Sequence, residues 1–568
     1  MLTLLDLTGV KKYNFISVDL ADNLQGDEKD FIVMTLMQKT FWFITLIIFP
    51  LFVYFYPDLN RWGHFVTYLL AIYAVVGLHD IFFSKHTLNR LYPVAAYIRY
   101  GLEFIRPEIH QYFIASNTDE LPFNREQRSL VYRRAKSLDD TQPFGTEMNI
   151  NQEGWYSAMH SMAATTVKED TKRILIGGSE CKKPYSAARL NISAMSFGAL
   201  SAHAIMALNM AAKMGNFYHN TGEGGYSPHH KQGGDIVWQI GTGYFGCRTK
   251  DGNFDPESFQ ASAILEQVKM IEIKISQGAK PSHGGVLPAA KVTEEIARIR
   301  LVEAHKDVIS PPNHKAYSTP EGLLEFVVQL RELSSGKPVG FKLCIGLKHE
   351  FMAICKAMLK TKIYPDFITV DGAEGGTGAA PVEYSNRLGL PCIEGINFVH
   401  NCLVGTGLRD KIKIIGSGKT ATGFAIIEKM AVGADLVNAA RTMMFSLGCI
   451  QSQSCNTNKC PTGIATQDPK RGGSLDYQRR HKHVANFQQH TVQSMFDLLG
   501  AMGVDDPEKI SAHILWRRDD DGNNKRFDEF FPQLKPLELL GDNIHKDYVH
   551  YWNKASAETF KAKQPATA

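Results

Sequence analysis

Cysteine is sparse in this sequence, and its distribution excludes a disulfide-stabilised scaffold. Nine cysteines occur among 568 residues, which is an odd number. Six of them stand singly between apolar or small neighbours: Cys181, Cys247, Cys344, Cys355, Cys392 and Cys402. Isolated cysteines of this kind are typical of reduced thiols in a cytoplasm-like compartment. Only Cys449, Cys455 and Cys460 form a cluster.

An excess of charge of one sign is also lacking. The chain has 62 basic and 58 acidic residues, a net charge of +4. Its composition therefore favours no nucleic acid or other polyanion as a partner. The sequence has no internal repeat and no low-complexity tract. Its length is enough for roughly two to four structural units and a buried active site.

Long hydrophobic runs occur near the amino terminus, at residues 41–56 and 65–83. The second run has about the 20 residues that a membrane-spanning helix needs. Signal-peptide cleavage is disfavoured because the first run begins roughly 40 residues into the chain and a second run follows at once. We predict a transmembrane helical hairpin at residues 41–84; the alternative is a buried helical pair in a soluble protein.

The basic residues after this hairpin predict its orientation: Lys85, His86, Arg90, Arg99 and Arg106. By the positive-inside tendency, the long carboxyl-terminal part lies in the cytoplasm. We therefore expect a protein of the cell inner (cytoplasmic) membrane, with residues 1–40 as a cytoplasmic segment. Residues 85–162 are interpreted as a linker region packing on a catalytic domain at 163–500. Residues 501–568 form a carboxyl-terminal extension.

Short β-type runs alternate with helical patterns from residue 190 onward. There are eight strand-like runs, at residues 190–194, 216–219, 270–275, 308–310, 339–343, 367–370, 412–415 and 435–438. Helical patterns separate most of them, at 202–214, 292–303, 320–333 and 423–432. Eight such units over about 250 residues match a (β/α)8 TIM barrel of the α/β class. An open doubly wound sheet is the rival fold.

Polar residues and glycines follow four of these runs, at residues 193–198, 220–225, 277–280 and 371–378. Active sites of TIM barrels lie at the carboxyl ends of the strands. Glycine at these positions lets the backbone approach a flat ring such as a flavin closely. The four clusters therefore favour a flavin site at the mouth of the barrel.

Two further loops are placed where barrels commonly hold a phosphate. Residues 416–420 follow the seventh run and residues 438–441 follow the eighth, so an FMN phosphate would fit there. Ordinary loop glycines are the alternative. Residues 241–246 formally match a dinucleotide-binding fingerprint, but no acidic residue about twenty positions later completes a compact unit.

The clustered cysteines have five and four intervening residues, and Pro461 follows the last of them. Zinc sites normally use four ligands at two-residue spacings. Thiolates on a loop suit iron, and a proline after the last ligand is common in iron-sulfur loops. Three ligands favour a three-iron cluster, with three unrelated core thiols as the alternative.

A succession of motifs carries a family resemblance. The motifs are Asn191-Ile-Ser-Ala-Met-Ser-Phe-Gly198, Asn220-Thr-Gly-Glu-Gly-Gly225, Gln277-Gly-Ala-Lys-Pro281, Leu287-Pro288, Ile309-Ser-Pro-Pro312, Gly375-Gly-Thr-Gly378 and Cys460-Pro-Thr-Gly-Ile-Ala-Thr-Gln-Asp-Pro469. Over residues 90–500 the chain resembles the FMN-binding glutamate synthase family. Its architecture is similar to that of stand-alone, membrane-anchored members.

The resemblance implies two cofactors, FMN in the barrel and a [3Fe-4S] cluster on Cys449, Cys455 and Cys460. It implies FMN contacts from residues at the strand ends, with Lys342 on the fifth strand pointing at the flavin. These contacts are Ser193, Ala194, Met195, Ser196, Asn220, Gln277, Lys342, Gly376, Gly378, Gly416, Gly418, Lys419, Ala439 and Ala440. Since residues 438–441 are bulkier than the glycine-rich family version, the phosphate contacts there would come from backbone N–H groups.

The resemblance also implies a substrate site. Gln277, Lys280 and Arg300 would grip 2-oxoglutarate, and Glu223 would lie where ammonia arrives. Cations suit a dicarboxylate, and a carboxylate can hold ammonium or accept a proton when an imine forms. Glu223 and Lys280 are therefore the candidate catalytic residues of a CH-NH2 oxidoreductase that reductively aminates 2-oxoglutarate to glutamate through an imine reduced by FMN.

The sequence departs from full glutamate synthases at its start. It begins Met1-Leu2, without the glutaminase domain and its amino-terminal cysteine, so we expect ammonia that is not made in cis. Electrons would come from a separate donor, ferredoxin-like or a reductase, and association into a homo-oligomer is left open. Two other functions stay open: an FMN barrel enzyme acting on another 2-oxo or 2-hydroxy acid, and a membrane-bound flavin and iron-sulfur electron-transfer protein.

Overall fold

The structure is a computed structural model that describes residues 34–281 and 283–563. It divides into two compact units, Met1–Ala115 and Ser116–Ala568. The boundary falls inside the segment 85–162 that the sequence predicts as a linker. Most of the predicted cytoplasmic segment 1–40 lies outside the described residues.

The first unit contains two long apolar helices, Leu36–Tyr54 and Arg61–Phe82, with mean hydropathies of 1.7 and 1.8. By length and composition, both could cross a membrane. The two helices pack together where the Phe41 ring lies against Gly77. A side chain at position 77 would overlap that ring, so this contact requires glycine. The shorter helices Thr87–Leu91 and Ala96–Ile109 follow.

The second unit is built on a closed barrel of eight parallel strands. In chain order they are β1 (Leu190–Ile192), β2 (His219–Asn220), β3 (Ile236–Ile240), β4 (Val268–Lys274), β5 (Val339–Cys344), β6 (Phe367–Asp371), β7 (Lys413–Ser417) and β8 (Leu436–Ala439). Each strand pairs with the next, and β8 pairs with β1. The predicted α/β barrel is therefore confirmed, and the open doubly wound sheet is excluded.

Seven of the eight predicted runs overlap barrel strands, but one assignment is wrong. Val308–Ile309 pairs antiparallel with Val286–Leu287 in a two-stranded ribbon outside the barrel. The missed strand is β3, which follows β2 after a single short 3-10 turn, Pro228–His230. Because no α-helix separates β2 from β3, the alternation that guided the prediction fails at this point.

Helices surround the barrel, and polar residues cap several of their amino termini. The side chains of Ser201, Thr293, Thr319 and Thr422 each accept a backbone N–H bond of the first turn. The helices of this unit that have nine residues or more are Arg125–Ala135, Ala202–Gly215, Pro320–Leu333, Lys348–Thr361, Cys392–Gly405, Gly423–Ala431, Tyr477–Ala501 and Lys546–Lys554. The short helices include Pro256–Ala263, Glu294–Arg300, Val382–Arg387, Arg441–Leu447, Pro469–Gly473 and Phe527–Phe530.

Two small sheets complete the unit. Tyr156–Ala158, Leu515–Arg518 and Asn524–Arg526 form one antiparallel sheet, which joins the predicted linker to the carboxyl-terminal extension. The hairpin Ile174–Ile176 with Tyr185–Ala187 shares an apolar cluster with barrel residues such as Val237, Met270 and Phe367. Apolar packing therefore fills this part of the barrel.

A buried ion pair supports the barrel next to β6. Asp366 Oδ2 accepts from Arg331 at 3.0 Å and from the Val339 N–H at 2.8 Å, while its Oδ1 accepts from Gly178 at 2.7 Å. The two charged side chains are only 8% and 1% exposed. One carboxylate thereby connects three segments of the chain.

We expect Asp366→Ala to lower the free energy of unfolding by about 3–5 kcal/mol, because it leaves the Arg331 charge buried without its partner. Chemical denaturation of the full chain in detergent measures this change. Glu266→Ala is the control, since it breaks an ion pair whose carboxylate is 96% exposed, and it should leave the transition in place. Equal effects of the two substitutions would contradict the assignment.

Candidate active site

A cavity of about 460 Å³ opens at the carboxyl-terminal mouth of the barrel. Loops after most of the strands and the cysteine loop contribute to its wall. It brings together most of the residues that the sequence predicts: Ser193, Ala194, Met195, Ser196, Glu223, Gln277, Lys342, Gly376, Gly378, Gly418, Ala440, Cys449, Cys455 and Cys460. Positions almost 270 residues apart in sequence thus share one concave surface.

Short backbone contacts hold the loops of the mouth together. The Ser193 N–H donates to the Ala439 carbonyl at 2.9 Å, and the Ser193 hydroxyl lies 3.2 Å from that of Ser417. Gly222 has φ +65°, and a Cβ there would lie 2.7 Å from the Ser196 nitrogen. Only glycine fits this close approach of the loops after β1 and β2.

An ion pair lies in the cavity wall. Lys274 Nζ, at the end of β4, donates to Glu223 Oε1 at 2.7 Å. Burial alone would raise the pKa of Glu223, but the charge and hydrogen bond of Lys274, followed by the charges of Lys280 and Arg300, outweigh burial and lower it. Glu223 is therefore a carboxylate held among three cations.

Lys280 and Arg300 lie behind the cavity wall. Lys280 Nζ donates to the Ala379 carbonyl at 2.9 Å, and burial lowers the pKa of Lys280 to about 8. The Arg300 guanidinium donates to the Phe197 carbonyl at 2.9 Å and stacks 5.0 Å from the Phe245 ring centre. Burial lowers the pKa of Arg300 to about 10.

Two glycines leave room for the guanidinium of Arg300. A Cβ at Gly198 or Gly224 would lie 2.9 or 2.8 Å from Arg300 Nη2. Arg300 Nε is buried without a hydrogen-bond partner among the described residues. The structure thus places both predicted substrate cations within electrostatic range of Glu223, but neither of them lines the cavity.

The floor of the cavity carries a second ion pair. Lys342 Nζ, on β5, lies 3.1 Å from Asp371 Oδ2 at the end of β6, and both residues line the cavity. Burial would lower the pKa of Lys342, but Asp371 and Glu272 raise it. Predicted residue Asn220 lies deeper in the barrel, where its side-chain amide donates to Glu272 at 2.8 Å.

The predicted phosphate loops are only partly in the wall. Gly418 and Ala440 line the cavity, whereas Gly416 and Ala439 are buried in the strands. A Cβ at Gly416 would meet Ile396 of the helix layer at 2.9 Å. Lys419 does not line the cavity; burial, and then the nearby charge of Arg441, lower its pKa.

Arg441 is a cation in the predicted phosphate loop 438–441, although the sequence analysis did not name it as a contact. It lines the cavity, donates to the Glu374 carbonyl at 2.7 Å and stacks 5.0 Å from the Phe123 ring centre. Its position directly after β8 was the sequence signal that could have identified it, because TIM barrels commonly bind phosphates there.

Lys291 is a second cation absent from the prediction, and it lies between two loops of the site. Lys291 Nζ donates to the Ala199 carbonyl at 3.1 Å and to the Ala465 carbonyl of the cysteine loop at 2.9 Å. Burial lowers the pKa of Lys291 to about 8, against the charges of Cys455 and Cys460. No sequence pattern connects it to cysteines more than 160 positions later.

The cavity wall suits an anionic ligand. Its charged residues are four basic and two acidic side chains: Lys274, Lys291, Lys342, Arg441, Glu223 and Asp371. The volume of about 460 Å³ is in the range of cofactor pockets. Both properties fit the phosphorylated flavin that the resemblance implies.

The three clustered thiols all line the same cavity. Burial, and then the charges of Cys455 and Cys460, raise the pKa of Cys449 to about 12. Burial would also raise the pKa of Cys460, but hydrogen bonds from Thr462 and from neighbouring backbone N–H groups outweigh it and lower it. The three thiols of one loop therefore have different electrostatic surroundings.

The three thiol sulfurs do not all lie within 4.8 Å of one another. Among the described residues, only Asp519, Asp520 and Asp521 have three ligand atoms that close together. Three thiolates on one tetrahedral zinc would lie about 3.8 Å apart, given zinc-sulfur bonds of about 2.3 Å. Thiolates bound to separate irons lie farther apart, so the donor set fits an iron-sulfur cluster better than zinc.

Comparison with known proteins identifies the family of this chain. Residues 135–505 match the family model described as a conserved region in glutamate synthase. The chain is 36% identical over 493 residues to the glutamate synthase large subunit-like protein YerD of Bacillus subtilis, covering 79% of this chain and 94% of that protein. It is 34% identical over 324 residues to an archaeal-type glutamate synthase [NADPH] of Thermotoga neapolitana, covering 56% of this chain and 60% of that protein.

A solved structure of mandelate oxidase aligns over 76% of this chain and 98% of its own length. With 14% sequence identity and a TM-score of 0.38, this similarity is too weak to indicate function. Fold, site and sequence matches together define a glutamate synthase-type oxidoreductase. The chain belongs to the FMN-binding glutamate synthase family.

We expect Lys274→Met to make the stability of the protein more sensitive to pH. In the unmodified chain, the lowered pKa of Glu223 gives stability that is present above the ordinary value of 4.5 and lost as the pH falls through the lowered value. Without Lys274, burial is offset less and the pKa of Glu223 rises. The ionised form of Glu223 then lowers the stability of the variant more and more as the pH rises.

Thermal unfolding across a pH series measures this effect. The difference in midpoint between the unmodified chain and Lys274→Met should widen from pH 4.5 towards neutral pH. Adding Glu223→Gln to Lys274→Met should remove the part of the pH dependence of the midpoint that Glu223 causes. A difference that is constant with pH would show that Lys274 acts only through packing.

Proposed function

We propose that this protein reductively aminates 2-oxoglutarate to glutamate, through an imine that is reduced by FMN, with ammonia that is not made in cis. One observation carries the proposal. A carboxylate, Glu223, lies paired with Lys274 in the wall of a cavity that also contains three clustered thiols. Lys280 and Arg300 add positive charge directly behind that carboxylate.

The substrate site follows from these charges. A 2-oxo dicarboxylate is attracted by Lys274 in the wall and by Lys280 and Arg300 behind it. Gln277 lines the same wall and offers an amide for hydrogen bonding. Because Glu223 stays ionised among these cations, it can hold an ammonium ion and accept the proton released when ammonia attacks the oxo carbon.

The cofactor contacts are proposed for residues in the cavity wall. FMN, when bound, supplies the hydride that reduces the imine carbon. The Ser193–Ser196 loop, Lys342 and Gly376 would hold its ring system, while Gly418 and Arg441 would hold its phosphate. The thiols of Cys449, Cys455 and Cys460 would hold a [3Fe-4S] cluster. A separate donor, ferredoxin-like or a reductase, would supply the electrons.

We also propose that the helices Leu36–Tyr54 and Arg61–Phe82 anchor the protein in the cytoplasmic membrane. Only 11% and 22% of their apolar windows are buried, so most of these side chains have no protein cover among the described residues. Basic residues after the second helix favour a catalytic domain on the cytoplasmic side.

Anaerobic spectroscopy tests the reaction. Reduced flavin in the purified full chain should be reoxidised when 2-oxoglutarate and ammonium are both present. We propose that Arg300, which lies behind the cavity wall, hydrogen-bonds to the bound substrate. Arg300→Ala should then raise the KM for 2-oxoglutarate about tenfold or more, because a hydrogen bond to a charged group is worth about 1.5–3 kcal/mol. Arg298→Ala, an exposed arginine on the same helix, is the matched control.

Two results would argue against this proposal. A flavin spectrum that 2-oxoglutarate does not perturb would favour the electron-transfer function without amination. An unchanged KM in Arg300→Ala, with flavin content retained, would reject the role of Arg300.

Replacing one clustered cysteine should remove the iron-sulfur cluster and leave the flavin bound. Cys455→Ser removes one of three thiolate ligands, so iron content should fall while flavin is retained. Cys181→Ser removes a half-buried thiol outside the cavity and should change neither. Iron and flavin analysis of the purified variants gives the answer, and full iron content in Cys455→Ser would refute the assigned ligand.

A further inference from the structure

A second concave surface lies on the outside of the cysteine loop. It has a volume of about 840 Å³. Its charged lining consists of Lys136, Arg479, Arg480, Lys482 and Asp476, and His483 also lines it. We name this the basic concavity. It is distinct from the candidate active site, with which it shares no lining residue.

The cations of the basic concavity are available to a partner. Lys136, Arg479 and Lys482 are exposed, and none of them has an ion pair within the described part of the chain. Arg480 contacts another basic side chain, His483, at 3.3 Å. The only acidic member, Asp476, caps the following helix by accepting from the Arg479 N–H.

The long helix Tyr477–Ala501 begins at this surface, and its amino-terminal dipole adds to the positive potential. Clustered like charges repel one another and cost stability, and an anionic partner would relieve that repulsion. The concavity is therefore suited to an anionic partner.

The chain connects the basic concavity directly to the three thiols. Leu447 and Gly448 line it and immediately precede Cys449. Thr462 also lines it, and its hydroxyl lies 3.4 Å from Cys460 Sγ. The cysteine loop thus has the candidate active site on one face and the basic concavity beside it.

We propose that the basic concavity is the docking surface for an acidic one-electron carrier protein. The proposal rests on the proposed function and names its electron donor by chemistry. The carrier gives up one electron and is oxidised, the cluster accepts that electron and is reduced, and no covalent bond changes. Two such transfers supply the electron pair of one amination.

The position of the concavity favours a carrier protein over other anions. A metabolite or lipid headgroup has no need to bind beside the iron-sulfur loop, whereas a carrier must approach the cluster. Redox partners form small, transient interfaces, and opposite charges accelerate their encounter. A patch of exposed cations matches that kind of association.

The test uses the full chain in detergent, loaded with FMN and cluster. A reduced plant-type [2Fe-2S] ferredoxin, an acidic protein, serves as the probe, and stopped-flow absorbance follows reduction of the chain without 2-oxoglutarate. Arg479→Glu with Lys482→Glu should lower the second-order rate constant at least tenfold at low salt. The deficit should shrink near 1 M salt, where the Debye length is about 3 Å.

Matched controls isolate charge at this surface. Lys546→Glu with Lys561→Glu makes the same change in net charge at exposed positions near the carboxyl terminus, and it should leave the rate constant within twofold. Reduced methyl viologen, a small cation, should reduce the double variant at least as fast as the unmodified chain, because the new carboxylates do not repel it. A loss of rate with viologen would overturn the proposal, because it would mean that the substitutions damage the cluster site.

Equilibrium binding of the oxidised ferredoxin separates this proposal from the amination itself. Binding that weakens in Arg479→Glu with Lys482→Glu supports the docking surface even if 2-oxoglutarate is not the substrate. Binding and reduction rates that are both unchanged overturn it. If phosphatidylglycerol vesicles then protect Lys482 from amine-reactive labelling, the concavity belongs to lipid headgroups instead.

Discussion

The site depends on a carboxylate that stays charged inside the mouth of a barrel. Burial works against the ionised form of Glu223, and Lys274, 2.7 Å away, reverses that effect together with Lys280 and Arg300. The same arrangement explains why glycines surround the pair. Any side chain at Gly241 or Gly285 would overlap Glu223, so the loops can close around the carboxylate only without Cβ atoms.

Barrel closure is what brings these groups together. Parallel strands place their carboxyl ends at one mouth, so loops after β1, β2, β4, β6, β7 and β8 meet there although they are far apart in sequence. An apolar cluster fills one part of the barrel, while Glu272 lies buried inside it and accepts from Asn220, Gln239 and Thr369. The cysteine loop continues the wall of the mouth outward to a second, basic surface.

Much of this fold can be predicted from the sequence, because buried parallel strands are short apolar runs followed by glycine and polar residues. The prediction failed at Ile236–Ile240, where no helix precedes the strand. It also failed at Val308–Ile309, whose β-type pattern belongs to a ribbon outside the barrel. A local pattern indicates that a strand forms, but its pairing partner is set by distant parts of the chain.

The site was predictable where function is carried by contiguous motifs, as in the loop Ser193–Ser196 and the cysteines. It was not predictable where one side chain reaches across the fold. Lys291 touches the cysteine loop through the Ala465 carbonyl, and spacing alone gives no sign of it. Arg300 was identified through the family resemblance and not through spacing, and the structure adds that Gly198 and Gly224 leave room for its guanidinium.

The central claim is that one cavity holds both a flavin and an iron-sulfur cluster. The most direct measurement is the absorption spectrum, with flavin and iron analysis, of the full chain purified anaerobically in detergent from a well-supplied host. The account predicts about one FMN and three irons per chain, with a flavin band superimposed on broad iron-sulfur absorption. Colourless protein without iron would contradict it.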